Sequence, residues 1–90
     1  MLVASEEIAN YVYGKYVLSA VEHGQGIVMV PVRQVWKAFD GAYKTDFIRG
    51  VLGSMKFRNA YHLSLVAAEG PSEDALDTYV FKLYNGLEAA

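Results

Sequence analysis

Side chains that could support catalysis or metal binding are few in this 90-residue chain. It has no cysteine and two histidines, His23 in a glycine-rich turn and His62 in a predicted strand. Neither histidine has a carboxylate at the spacing of a metal site or a catalytic triad. The acidic residues Glu73, Asp74 and Asp77 lack the alternating ligand pattern of a calcium loop, and the sequence contains no phosphate-binding glycine loop. We therefore expect neither an enzyme nor a metal or cofactor site.

The charged residues point to a different chemistry, because they are unevenly distributed along the chain. There are 8 Lys and Arg residues against 10 Asp and Glu, a net charge of −2. Residues 31–68 nevertheless hold six of the cations and two of the acids, whereas the segments on either side are acidic. A local basic surface binds anions even on a slightly acidic protein. The alternative is a solvated surface on which the cations cluster without a ligand.

The elements that must position these cations begin with a predicted helix over residues 5–22. Ser5 is suited to cap this helix, and a glycine-rich turn ends it. The apolar residues of the helix cover most of its circumference, which predicts burial on more than one side. A dimer contact through Tyr11, Tyr13 and Tyr16 would bury the second side. The alternative is a helix beneath a hairpin with its tyrosines half exposed.

A strand and two helices are predicted next. Residues 26–30 form a β-branched apolar run typical of a short strand, which Pro31 ends. Two amphipathic helices follow, over residues 31–39 and 45–56, and Thr45 is suited to cap the second. Each helix carries apolar residues at i, i+3, i+4 and i+7, namely Val32, Val35, Trp36 and Phe39, then Ile48, Val51, Leu52 and Met55. Two such helices joined by a tight glycine-containing turn predict a helix-turn-helix.

From residue 59 the period of the apolar residues changes to two, which predicts a hairpin over residues 59–84. Tyr61, Leu63 and Leu65 alternate with polar residues, and the same alternation returns around Tyr79. A loop rich in glycine, proline and acidic residues separates the two strands. We expect residues 1–90 to form one domain of the α+β class.

The predicted order α-β-α-α-β-β resembles the winged helix-turn-helix superfamily. The resemblance covers roughly residues 5–84 and rests on element order and hydrophobic spacing. Residues 45–56 match the recognition helix and Glu69–Leu76 the wing, with a short C-terminal tail after the hairpin. Members of this superfamily are mostly DNA-binding regulators, often dimers, and a minority are protein-interaction modules. The resemblance implies a dimeric transcriptional regulator that binds double-stranded DNA through the helix at 45–56.

The residues expected to contact DNA lie on the two helices and beside them. In a helix-turn-helix the second helix enters the major groove and the first crosses the backbone. Arg49 is the strong base-reading side chain of the second helix, and the lysines are suited to phosphates. The expected DNA contacts are Arg33, Lys37, Lys44, Thr45, Arg49, Ser54, Lys56 and Arg58.

Other features favour a protein-interaction module or a subunit of a larger complex. Asp46 would repel phosphate, the predicted wing is acidic, and the tyrosine-rich first helix is suited to a protein partner. Gly50 and Gly53 either admit a close neighbour or end the helix. The segment 50–53 also has the GxxG shape of a KH-domain loop, but its two central residues belong to the apolar stripe, where such a loop would be polar.

The sequence contains no feature that directs it to a membrane. The first residues form no basic leader, and no apolar run approaches the length of a membrane-spanning helix. The absence of cysteine is compatible with a reducing compartment. We therefore expect a cytoplasmic protein.

Overall fold

The computed structural model describes residues 3–69 and 77–83, and it begins with one long helical stretch. This N-terminal helix has three consecutive segments: α1 (Ala4–Val12), a π-helical turn (Tyr13–Val17) and α2 (Leu18–Glu22). The prediction that Ser5 caps the helix is wrong. The N-cap position is Val3, whose carbonyl oxygen accepts from the amide of Glu7 (3.0 Å), so Ser5 already lies inside the first turn.

The first strand leads directly into the second helical region. Strand β1 (Ile27–Pro31) ends at the N-cap of α3 (Val32–Ala38), and the amide of Val32 donates to the carbonyl oxygen of Asp77 (2.8 Å). Proline is well placed at this junction, because it ends strand pairing and precedes a helix whose first amides need outside partners. After α3 the chain reverses through Asp40 and Gly41, which both have left-handed φ values.

The second predicted helix is two helices. Helix α4 (Thr45–Leu52) ends at Gly53, and α5 (Met55–Ala60) begins after Ser54. The prediction of one helix over residues 45–56 is therefore wrong, because Ser54 leaves the helical conformation and caps a new helix. Met55 consequently does not continue the inward stripe, and 67% of its surface is exposed. Thr45 is the first residue of α4 and not its cap, a position that Lys44 holds.

The remaining strands form an antiparallel sheet with β1. Strands β2 (Leu63–Glu69) and β3 (Thr78–Leu83) pair with each other, β3 also pairs with β1, and the order is β1-β3-β2. The prediction that Tyr61 and His62 lie in a strand is wrong. They form the turn between α5 and β2, where His62 has a φ of 56°.

The core lies between one face of the sheet and the helices. Phe81 on the central strand is fully buried and lies opposite Val28 of β1 and Leu65 of β2. Its ring packs edge-on against that of Phe57, with centroids 5.7 Å apart. Trp36, expected in the core, is 39% exposed, and its ring lies beside Gly41 of the following turn.

The observed structure belongs to the α+β class, as predicted. When the N-terminal helix is counted once, residues 3–69 and 77–83 contain one helix more than the predicted order. Most of the predicted wing, residues 70–76, and the predicted C-terminal tail lie outside the described residues. Within the part that the structure describes, no helix is long and apolar enough to cross a membrane.

Candidate nucleic-acid interface

Three of the basic residues expected to contact DNA lie on α3 and at the start of α4. Arg33 and Lys37 are exposed and four residues apart, which places them on the same side of α3. Lys44, at the N-cap of α4, is also exposed, and Thr45 beside it is half-buried. Within residues 3–69 and 77–83, none of the three cations forms an ion pair.

Arg49 has a different environment, because its guanidinium is held by two carboxylates. Its Nε and Nη2 donate to Asp77 Oδ2 at 3.0 and 2.6 Å, and Nη1 donates to Asp46 Oδ1. The hydrogen bond to Asp77 raises the pKa of Arg49, against a smaller effect of burial, and Asp46 raises it further. All three guanidinium nitrogens that could donate hydrogen bonds to a base are therefore bonded to carboxylates of the same chain. Base reading by Arg49 would require these bonds to break.

Asp77 is the main ion-pair partner of Arg49, a contact that the sequence did not reveal. It lies 28 residues from Arg49 in the chain and immediately before β3, so the contact depends on the tertiary fold. Its side chain is 14% exposed, and its Oδ1 atom is buried without a partner among the described residues. Asp77 also raises the pKa of the neighbouring Tyr79, after the larger effect of burial, while Arg49 lowers it. The ion pair ties α4 to the strand that follows the predicted wing.

Three further residues expected at the DNA interface lie at α5. The hydroxyl oxygen of Ser54 accepts from the amide of Phe57 (3.2 Å), and the hydroxyl donates to the carbonyl oxygen of Val51 (2.8 Å). Its role in this structure is to cap α5. Lys56 is exposed in the first turn of α5, while Arg58 is half-buried and its Nε has no partner within the described chain.

The three tyrosines expected at a dimer interface pack within their own chain. The ring of Tyr11 lies edge-on to Phe39, with centroids 5.3 Å apart, and Tyr13 stacks on Tyr61 at 4.6 Å. Tyr16 lies edge-on to Tyr11 at 6.5 Å, and burial raises its pKa, followed by an effect of Tyr11. Each ring is half-buried. These contacts already cover much of the apolar surface on which the dimer prediction depends.

An open groove of about 610 Å³ borders the outward side of α4. Its lining is mostly apolar and comes from α1, α4 and α5, including Ala9, Phe47, Gly50 and Phe57. Phe47 is 43% exposed at this groove. The sequence carried a signal for it, because Phe47 falls off the inward stripe of α4.

Neither a protein-family model, nor a curated protein, nor a solved structure matches this chain. Among the residues that the structure describes, no three His, Asp or Glu side chains meet as a metal site would require.

Proposed function

We propose that this chain is a winged-helix protein that binds duplex DNA mainly through the phosphate backbone, in the role of a small transcriptional regulator. The observation that carries the proposal is the position of three cations that form no ion pair with any residue the structure describes. Arg33, Lys37 and Lys44 lie on the first helix of the α3–α4 pair and at the start of the second. In a helix-turn-helix complex these positions face the sugar-phosphate backbone.

The sheet order supports the winged-helix interpretation. The hairpin that follows the helix pair returns its second strand, β3, to the strand that precedes the pair, β1. The hydrogen bond from the Val32 amide to the carbonyl oxygen of Asp77 (2.8 Å) joins the start of α3 to the residue that precedes β3. A wing between β2 and β3 would therefore be anchored beside the helix pair.

The residues on the outward side of α4 favour contacts with DNA phosphates over hydrogen bonds to base edges. Asp46, Phe47 and Gly50 face outward, and Arg49 is bonded to two carboxylates. None of the outward three is a cation or a strong donor to a base edge. Phosphate contacts supply sequence-independent affinity that depends strongly on salt. Low sequence selectivity is the expected consequence, with Lys56 and Arg58 as additional phosphate contacts if the duplex extends along α5.

The salt dependence of DNA binding tests this proposal. Fluorescence anisotropy with a mixed-sequence duplex gives the dissociation constant at several salt concentrations. Each phosphate contact contributes about 0.9 to the slope of log K against log salt, so the double variant Arg33→Ala/Lys37→Ala should lower that slope by about 2. The matched control, Lys15→Ala/Lys82→Ala, removes two exposed cations from other elements and should leave the slope unchanged.

Absence of binding at low salt would contradict the proposal. So would an equal loss of slope in both double variants, because it would mean that net charge alone, and not the α3 surface, governs binding.

A further inference from the structure

Two carboxylates hold the guanidinium of Arg49 unequally. Asp77, 14% exposed at the side chain, accepts from both Nε (3.0 Å) and Nη2 (2.6 Å) through one oxygen. Asp46, one turn before Arg49 in α4, is 92% exposed at the side chain and accepts from Nη1 alone. A single ion pair in contact with water contributes less to stability than a partly buried pair with two hydrogen bonds. One substitution at Asp46 can therefore remove its bond at little cost to the fold.

Removal of that bond frees the part of the guanidinium that reads bases. A guanidinium has five N–H groups, and the bonds to Asp77 use two of them, one on Nε and one on Nη2. Both N–H groups of Nη1 and the second of Nη2 then remain. A guanidinium that donates to O6 and N7 of a guanine makes the commonest specific contact between a protein and DNA. Loss of the bond to Asp46 is enough to free this pair of nitrogens, while Asp77 keeps the guanidinium in place.

Asp46 works against a guanine contact in two ways. Its carboxylate is charged, and hydrogen bonds to a charged acceptor are about twice as strong as those to neutral acceptors such as O6 and N7. Nη1 of Arg49 therefore stays with Asp46. The aspartate also lies in the first turn of α4, and the first residues of a recognition helix are the ones that contact base edges. A carboxylate there has no proton to donate to the two guanine acceptors.

We propose that Asp46 is the residue that makes DNA binding by this chain unselective, and that Arg49 is a latent guanine-reading side chain which Asp77 holds in position. This inference rests on the proposed function and assigns its low selectivity to one carboxylate. Without Asp46, the guanidinium gains a partner with two acceptors in the major groove. The cations of α3 continue to supply the phosphate contacts, so selectivity is added to an affinity that already exists.

The variant Asp46→Ala tests this proposal with two duplexes of the same mixed sequence. One contains guanine, and the other contains 7-deazaguanine at every guanine position, which removes the N7 acceptor and leaves every phosphate unchanged. In fluorescence anisotropy at low salt, the natural protein should bind the two duplexes equally. Asp46→Ala should bind the guanine duplex about fivefold more tightly, the lower end of what a good bidentate contact gives. Alanine is preferable to asparagine, because asparagine can itself read adenine.

Three further variants separate this effect from a change in net charge. Glu22→Ala removes one exposed carboxylate at the end of α2, and Asp46→Glu keeps a carboxylate one turn before Arg49, so neither should prefer guanine. The double variant Asp46→Ala/Arg49→Gln retains a donor for Asp77 but lacks the forked guanidinium, and it should lose the preference. Circular dichroism should show unchanged helix content in Asp46→Ala, since the side chain that it removes is 92% exposed.

If the natural protein and Asp46→Ala both bind the two duplexes equally, the inference is overturned and the proposed function stands. A guanine preference already present in the natural protein would also overturn it, because Asp46 would then not block Arg49. So would a preference that persists in the double variant, since another residue would then read the base. Absence of binding by the natural protein at low salt would overturn the proposed function and this inference together.

Discussion

Arg49 joins two parts of the chain through one planar group. Asp46 lies one turn before it in α4 and is 92% exposed at the side chain, whereas Asp77 begins the β3 region and is 14% exposed. An exposed ion pair contributes little to stability, because water screens it and two long side chains lose freedom. A partly buried, doubly hydrogen-bonded pair contributes more. Asp77 is therefore the partner that matters for the stability of the fold.

Asp77→Asn should lower the free energy of unfolding by about 1–2 kcal/mol, since the variant leaves the partly buried Arg49 cation with its exposed partner alone. Asp46→Asn, the same change on the other carboxylate, should cost less than about 0.5 kcal/mol. Denaturant unfolding of both variants measures the difference. Equal losses would show that the two carboxylates share Arg49 evenly.

The elements differ in how well their sequence predicts them. Helices α3 and α4 begin within one residue of the predicted positions. Of the residues predicted to face inward, Val32, Val35, Ile48, Val51 and Leu52 are buried, whereas Trp36 and Met55 are exposed. The break between α4 and α5 was missed because Met55 extends the stripe of Ile48, Val51 and Leu52. The signal against that extension was Gly53-Ser54, a helix end followed by a capping residue. The pairing of Arg49 with Asp77 had no local signal, since it requires β3 to return beside α4.

Replacing each of two glycines by alanine should change the free energy of unfolding in opposite directions. In α4, Gly50→Ala should stabilise the protein by about 1 kcal/mol, because alanine favours a helix interior and its Cβ meets nothing within 4 Å. In the turn after α3, Gly41 has a φ of +71°, and an added Cβ would lie 3.3 Å from Trp36 Cζ2. Gly41→Ala should therefore destabilise it by about 1 kcal/mol or more.

Thermal or denaturant unfolding of the two alanine variants gives both signs in one experiment. A loss of stability in Gly50→Ala would contradict the open space that the structure shows beside Gly50.

At the scale of the whole molecule, the six cations of residues 31–68 differ in their exposure and in whether they meet an acidic side chain. Of the six cations in residues 31–68, Arg49 is neutralised by two carboxylates and Arg58 is half-buried. Arg33, Lys37, Lys44 and Lys56 stay exposed. Composition could indicate a basic segment, but only the folded chain determines which of its cations meet an acid. The proposed DNA-binding surface is therefore α3 and the start of α4 more than the outward side of α4.

The tyrosines scattered through the packed structure give the whole molecule a predictable response to alkali. Burial raises the pKa of Tyr16, Tyr61 and Tyr79, with smaller contributions from Tyr11, Tyr13 and Asp77 respectively, while Arg49 opposes the shift at Tyr79. In the unfolded chain these groups lose their protons near their ordinary pKa of about 10. Between that pH and the raised values, the unfolded state binds fewer protons than the folded state. The free energy of unfolding should therefore be fully retained below about pH 10 and fall as the pH rises further.

Denaturant unfolding across the alkaline range, followed together with tyrosinate absorbance, measures this loss. Tyr16→Phe removes one tyrosine whose pKa is raised, while it keeps a ring beside Tyr11, whose centroid lies 6.5 Å away in the natural protein. The variant should match the natural protein near neutral pH and lose less stability per pH unit above about pH 10. An identical alkaline slope in the two proteins would mean that Tyr16 titrates alike in the folded and unfolded chain. Its ring would then be hydrated in solution, and the packing of the π-helical turn against Tyr11 would have to be looser than the structure has it.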